Sequence, residues 1–154
     1  MNPYDRLKEL GLSLPPPTDG APAFDMAVAT GNLLYLSGHI AMRGGRPWTG
    51  QLGKNVSRED GYQAARAIAL DLLATLHGYL GDLGRVRRVV KLLCLINSTP
   101  GFSDQHLVAN GCSELLNSVL GAAGRHARSA IGVAQLPLGA CVEIELVAEI
   151  SAKA

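Results

Sequence analysis

The residues from Val142 to Ile150 alternate between two kinds of side chain, and this pattern constrains the fold more than any other part of the chain. The even-numbered residues are all apolar, and the residues that alternate with them are Glu143, Glu145, Val147 and Glu149. Successive side chains of a β-strand point to opposite faces of its sheet. The pattern therefore predicts a strand that is buried on one face and carries carboxylates on the other.

The other periodicities predict a short N-terminal helix followed by the order β-β-α-β-α-β-β. Gly31-Asn32 separates two strand-like runs, 24–29 and 33–37, as in a hairpin. Ser57, three residues before Asp60, has the form of a capping box for a long amphipathic helix. A buried strand over 89–97, a second helix over 103–120 and a short strand over 129–133 precede the last strand. This order predicts an α+β fold, a mixed sheet with two helices packed on one face.

The length of 154 residues predicts a single domain that spans residues 1–154. Residues 1–20 form an N-terminal extension in this interpretation. It begins with a helix that Asn2 caps and Pro3 opens, and it continues as a proline-rich segment that cannot be helix or central strand.

Composition excludes several classes of protein. Fourteen basic against thirteen acidic residues leave a net charge of +1, and aromatic residues make up only 5%. We therefore expect no nucleic-acid partner, because such proteins need clustered positive charge and stacking platforms. No 18-residue apolar run is present, so we expect no membrane partner. The low charge favours an assembly of identical subunits.

The three cysteines, Cys94, Cys112 and Cys141, are odd in number and lie in apolar stretches. They are predicted to be buried free thiols, and a reducing cytoplasm is the expected location. The four histidines are scattered without the spacing of a metal site, so we expect no metal.

Two groups of residues could carry chemistry. Arg125 and Arg128 lie in a glycine-bounded approach to a strand, and a guanidinium can hold a carboxylate with two parallel hydrogen bonds. Alternatively, these arginines form ion pairs with the acids of the last strand. Glu143 and Glu145 are either ordinary charges on an exposed sheet face or carboxylates beside a cleft that orient a water or accept a proton.

Four motifs together resemble the Rid (reactive intermediate deaminase) family, also called the YjgF/YER057c/UK114 family. The resemblance extends from about residue 24 to residue 150. The motifs are Leu34-Tyr35-Leu36-Ser37-Gly38-His39, Ala127-Arg128-Ser129-Ala130, Leu136-Pro137-Leu138-Gly139 and Val142-Glu143-Ile144-Glu145-Leu146-Val147-Ala148.

The resemblance implies a chorismate mutase-like fold (bacillus type) and a homotrimer with three clefts between subunits. It implies hydrolysis of enamines and imines, such as 2-aminoacrylate, to a 2-keto acid and ammonia without a cofactor. Arg128 would bind the substrate carboxylate and Glu143 would orient the attacking water. The remaining substrate-binding positions implied are Ser37, Asn110, Phe24 and His39.

This chain departs from the family pattern at three of its positions. Phe24 replaces a tyrosine, His39 a glutamine and Ala130 a cysteine. An alternative function is therefore a trimeric protein that binds small carboxylates or keto acids without turnover. The ribonuclease or translation-inhibitor role attached to the family's names is disfavoured by the charge of +1.

Overall fold

The computed structural model describes residues 1–152, which form one five-stranded sheet with two long helices packed on it. The helices are α1 (Pro3–Glu9), α2 (Arg58–Leu80) and α3 (Gln105–Leu120). The strands are β1 (Ala27–Thr30), β2 (Leu33–Ile40), β3 (Met42–Arg43), β4 (Arg46–Pro47), β5 (Val86–Asn97), β6 (Ala127–Val133) and β7 (Val142–Ile150). Short 3₁₀ turns lie at Leu83–Arg85, Gly121–Gly124 and Pro137–Gly139.

The sheet has the strand order β1-β2-β7-β5-β6. Its pairs are antiparallel except β5 with β6, which run parallel. Strands β3 and β4 form a separate small hairpin. The predicted α+β fold with a mixed sheet is confirmed, and β7 lies at the centre of the sheet.

The helices begin and end at the residues that local chemistry favours. Ser57 Oγ accepts a hydrogen bond from the Asp60 N–H at 3.0 Å, and Asn2 Oδ1 accepts one from the Asp5 N–H at 2.9 Å. Gly81 ends α2 with a φ of 77°, a left-handed conformation that glycine adopts without steric cost. Helix α3 begins at Gln105, two residues after the predicted start.

The first hairpin differs from its prediction at both ends. Strand β1 begins at Ala27, and Phe24 lies in the preceding segment with about half of its surface exposed. Strand β2 continues past Ser37 to Ile40, because Ile40 pairs with Glu143 of β7. A bulge between Leu36 and His39 shifts the register within this extension.

The two faces of the sheet have different surroundings. Helices α2 and α3 cover one face, where Leu92 and Ile144 are fully buried in the hydrophobic core. We call the opposite side the open face; it carries Glu143, Glu145 and Val147 of β7, and by register Tyr35, Leu93 and Leu95. The predicted division of β7 into an apolar face and an acidic face is confirmed.

The three cysteines are fully buried free thiols, as predicted. Burial raises the pKa of Cys94 and of Cys141 to about 11, and it raises the pKa of Cys112 well above its ordinary value. Thiols with such pKa values are protonated at neutral pH and chemically inert.

The N-terminal extension packs against the rest of the domain. The Tyr4 hydroxyl lies 2.9 Å from Nδ1 of His77, and it accepts a hydrogen bond from the Leu83 N–H at 2.9 Å. Leu7 joins the core. Within the described part of the chain, the structure has no helix of the length and apolar character needed to span a bilayer.

Candidate functional site

Arg128 extends from β6 toward α3 at the edge of the sheet. Its partner in β5 is Leu92, which points into the core, so the guanidinium lies on the helix-covered side. Nη1 donates to Oδ1 of Asn110 at 2.9 Å and to Oγ of Ser113 at 3.1 Å, and Nη2 donates to the His106 carbonyl at 3.2 Å. Three groups of one helix therefore fix the orientation of this guanidinium.

These three hydrogen bonds leave part of the guanidinium available. It has five N–H donors, and three are used. The N–H of Nε and one N–H of Nη2 have no acceptor within residues 1–152. Arg128 can therefore donate two hydrogen bonds to a bound carboxylate. The three contacts with α3 hold the guanidinium in place through its other N–H groups, so they do not compete with that carboxylate.

The alternative that Arg125 and Arg128 pair with the acids of the last strand is wrong for the described residues. Ion pairs there join Arg58 to Asp104 and Arg88 to Glu149. No carboxylate among residues 1–152 lies within 4.0 Å of either Arg125 or Arg128.

A hydrogen-bonded pair, Ser113 and His126, helps to orient Arg128, and the sequence motifs did not reveal this pair. Nδ1 of His126 lies 2.6 Å from the Gly124 carbonyl, and Nε2 lies 2.9 Å from Oγ of Ser113. A carbonyl oxygen only accepts, so Nδ1 carries the proton and Nε2 accepts from the Ser113 hydroxyl. Ser113 Oγ is then free to accept from Arg128. Burial, and secondarily the charge of Arg128, lowers the pKa of His126.

The signal that could have found this pair is weak. His126 lies between the two arginines in the sequence, but Ser113 is thirteen residues away on a different element. Only the packing of α3 against β6 brings the two side chains together.

Glu143 lies on the open face, half-buried, and its carboxylate lies over Gly38 of β2. A Cβ at residue 38 would overlap Oε1 of Glu143, so the absence of a side chain at Gly38 makes room for the carboxylate. Burial raises the pKa of Glu143, and the neighbouring charge of Glu145 raises it further. A carboxylate with a raised pKa is a better proton acceptor than an ordinary exposed one.

Ser37 directly precedes Gly38 in β2, and its contacts extend to the segment that carries Phe24. The Ser37 hydroxyl donates to the Asp25 carbonyl at 2.6 Å, and the Ser37 N–H donates to the Met26 carbonyl at 2.9 Å. Ser37 thus ties the segment that carries Phe24 to strand β2. The Phe24 ring remains half exposed beside it.

His39, a substrate-binding position implied by the resemblance, does not lie with this group. It is only 3% exposed and pairs with Ile144, whose side chain points into the core. Its Nδ1 lies 2.7 Å from the Ser37 carbonyl and its Nε2 lies 2.8 Å from Oγ1 of Thr75 in α2. The bulge before His39 turns the ring toward the helices, so its role is structural. Ala130, the third position that departs from the family pattern, lies in β6 and pairs with the buried Cys94 of β5.

Arg128 and Glu143 lie on opposite faces of the sheet. Arg128 pairs with Leu92 of β5, whereas Glu143 pairs with Leu95 of the same strand. Leu92 and Leu95 are three residues apart, and positions an odd number apart in a strand point to opposite faces. One chain therefore contains two separate groups, which we call the candidate half-sites: Arg128 with Asn110 and Ser113, and Glu143 with Gly38.

A polar cavity of about 230 Å³ lies beside Arg128, lined by Ser113, Asn117, Arg125, His126 and Arg128.

Possible metal ligands are the side chains of His, Cys, Asp and Glu. No three of these side chains within residues 1–152 are grouped so that they could hold an ion.

Comparison with known proteins identifies the family. The chain matches the family described as "YjgF/chorismate mutase-like, putative endoribonuclease" over residues 4–150. The chain belongs to this family, and the resemblance carried by its four motifs is confirmed.

Three relatives cover nearly the whole chain. Protein TCP17 of Trypanosoma cruzi is 45% identical over 147 residues, which are 94% of this chain and 92% of that protein. The crystal structure of Atu1372 from Agrobacterium tumefaciens is 43% identical with a TM-score of 0.90, and the match covers 97% of this chain and 92% of that one. A "putative endoribonuclease" from Shewanella oneidensis is 28% identical with a TM-score of 0.93, covering 97% and 100%.

Proposed function

We propose that this protein is a hydrolytic deaminase of enamine and imine intermediates that carry a carboxylate, and that it works as a homotrimer. The observation that carries the proposal is the separation of Arg128 from Glu143 by the sheet. Arg128 is oriented to bind a carboxylate and Glu143 is a proton acceptor with a raised pKa, so each suits one half of such a reaction. The sheet separates the two within one chain. The missing half of each site is supplied by a neighbouring subunit.

The open face supports an assembly of this kind. Val28, Tyr35 and Ile131 lie on it by register, and each is about half exposed. An apolar surface beside functional carboxylates is typical of an interface. Contact between the open face of one subunit and the Arg128 edge of the next is heterologous, and such contacts form a ring when the rotation between subunits closes. The family resemblance favours a ring of three.

The reaction follows from the two half-sites. Arg128 of one subunit donates from Nε and Nη2 to the substrate carboxylate, which places the adjacent imine carbon in the cleft. Glu143 of the neighbour accepts a proton from a water, whose oxygen bonds to that carbon as the carbon–nitrogen double bond becomes single, and Glu143 returns this proton to the nitrogen. In the carbinolamine so formed the hydroxyl proton passes to the nitrogen, the carbon–nitrogen bond breaks, the oxygen becomes the keto oxygen and the nitrogen leaves as ammonia. No cofactor is needed, because the imine carbon is already electrophilic.

A second candidate function is binding of a small carboxylate or keto acid without turnover. The two free donors of Arg128 favour it equally, since they hold a carboxylate whether or not a water is activated. For either function we propose a cytoplasmic location, in which the buried thiols remain reduced.

The experiment that separates the two functions couples the protein to a serine or threonine dehydratase, which releases the enamine, and measures the rate of 2-keto acid formation. We expect the wild type to accelerate that step. Glu143→Gln should retain keto-acid binding while hydrolysis falls about 10²- to 10⁴-fold, the usual contribution of a general base.

Glu149→Gln on the same strand is the matched control and should leave both measurements unchanged, because Glu149 faces Arg88 rather than Gly38. Wild type that binds keto acids but never accelerates their formation would establish the non-catalytic function. Wild type that does neither would overturn both.

A further inference from the structure

The side chains that line the cavity beside Arg128 share one chemical character. All five lining side chains are polar, and none is acidic: Ser113, Asn117, Arg125, His126 and Arg128. A cleft that carries two guanidinium groups and no carboxylate has an excess of positive charge. Such a cleft concentrates anions.

The two arginines are the charged groups in this cavity with free capacity for a ligand. Oδ1 of Asn117, buried in the cavity wall, also has no hydrogen-bond partner within residues 1–152 and can accept from a donor. Ser113 and His126 are occupied with each other, and Nδ1 of His126 is occupied by the Gly124 carbonyl. Arg128 has two unused N–H donors, as described above. Arg125 is exposed and makes no ion pair within residues 1–152. His126 faces only Arg125 and Arg128 as charged neighbours in the cavity, and burial keeps its pKa low.

The cavity is larger than one carboxylate requires. Its volume of about 230 Å³ equals the share of roughly seven or eight waters at ~30 Å³ each. A substrate whose first carboxylate lies on Arg128 leaves room for several more atoms on the side toward Arg125.

We propose that the substrate carries a second carboxylate, which occupies this cavity and is held by Arg125. The substrate class is then the 2-imino dicarboxylic acids, and the product is the corresponding 2-keto dicarboxylic acid. The balance is that of the deamination above: water supplies the keto oxygen, its two hydrogens leave with the nitrogen as ammonia, and the second carboxylate does not react. This inference rests on the proposed function, because Arg128 holds the first carboxylate in both.

The test compares three product-like ligands by titration calorimetry on the assembled protein at physiological salt. Oxaloacetate and 2-oxoglutarate carry the second carboxylate at two chain lengths, and 2-oxopentanoate has a methyl group in its place. We expect at least one dicarboxylate to bind about ten- to a hundredfold more tightly than 2-oxopentanoate, the range that a charge-assisted hydrogen bond supports.

Arg125→Gln should remove that preference while leaving the affinity for 2-oxopentanoate unchanged. Arg87→Gln is the matched control, since Arg87 is an exposed arginine of β5 outside the cavity. It should keep the preference, which excludes a general effect of net charge.

Equal affinity for all three ligands in the wild type would overturn the inference, whether or not any variant folds. Equal loss of both ligand classes in Arg125→Gln would overturn it too. Failure of the proposed function has a different signature: Arg128→Ala would leave 2-oxopentanoate binding intact, or no imine would be hydrolysed while the dicarboxylate preference remained.

Discussion

At the scale of single residues, the contacts around a side chain decide its chemistry more than its position in a motif. Arg128 and His39 belong to two motifs of the same family, yet their surroundings differ. Arg128 keeps free donors at the edge of the sheet, whereas both ring nitrogens of His39 are occupied inside the core. The first residue is suited to binding and the second to stability.

Arg128→Lys should weaken the binding of 2-keto acids nearly as much as Arg128→Ala. An ammonium is a point charge and cannot form two parallel hydrogen bonds from a fixed plane. Loss of one charge-assisted bond, about 1.5–3 kcal/mol, corresponds to roughly ten- to two-hundredfold weaker binding. Titration calorimetry measures it, and a lysine variant that binds like the wild type would show that Arg128 acts only as a charge.

His39 should make the protein less stable as the pH falls below neutral. Burial lowers the pKa of His39 in the folded state below its ordinary value of 6.5, so the unfolded chain binds the proton more readily. Its contribution is full above pH ~6.5 and is lost as the pH falls from there toward the folded-state pKa. Urea unfolding at pH 7.5 and at pH 5.5 measures the difference.

His39→Gln removes the titrating group and should flatten this pH dependence between 7.5 and 5.5. His126, whose pKa is lowered too, contributes with the same sign, so part of the dependence remains. His106→Gln, at an exposed position, is the control. The same slope in His39→Gln as in the wild type would contradict the prediction.

At the scale of elements, the bulge in β2 and the register of β7 create the second half-site. The bulge turns His39 toward α2 and leaves Gly38 under the Glu143 carboxylate. The glycine is required here for space, because a side chain at this position would occupy the place of the carboxylate.

Gly38→Ala should reduce hydrolysis strongly while keto-acid binding to Arg128 persists. The new methyl group overlaps Glu143 Oε1 and lies 3.0 Å from Cδ and 3.2 Å from Cγ of that flexible side chain, so the carboxylate swings away while the strand remains. Steady-state kinetics and calorimetry on the same sample separate the two effects. Gly101→Ala is the matched control, because a Cβ there meets no atom within 4 Å. Unchanged kcat in Gly38→Ala would show that the position of Glu143 is not critical.

At the scale of the whole molecule, both the apolar open face and the divided site favour an oligomer. Sedimentation should report about three times 16.2 kDa. Ile131→Asp places a charge on the open face and should shift the mass toward that of one chain, with loss of deaminase activity. Leu10→Lys, at the exposed C-cap residue of α1 and away from that face, is the control and should leave the mass unchanged. A wild-type monomer at micromolar concentration that hydrolyses imines would contradict the divided site.

The amino-acid sequence by itself determined the features that depend on neighbours along the chain. The alternation of β7, the caps at Asn2 and Ser57 and the burial of the cysteines follow from periods and spacings of a few residues, and all were predicted correctly. Family motifs added Arg128 and Glu143 as the residues of interest.

Only the tertiary structure decided the orientation of those side chains relative to one another. The contact of Ser113 with His126, the inward turn of His39 and the opposite orientations of Arg128 and Glu143 depend on strand register and on the packing of α3 against β6. A shift of one residue in register reverses the face of every side chain that follows, and a bulge makes that shift without a reliable sequence signal. The composition of the site could be read along the chain, but its geometry arises from contacts between residues far apart in it.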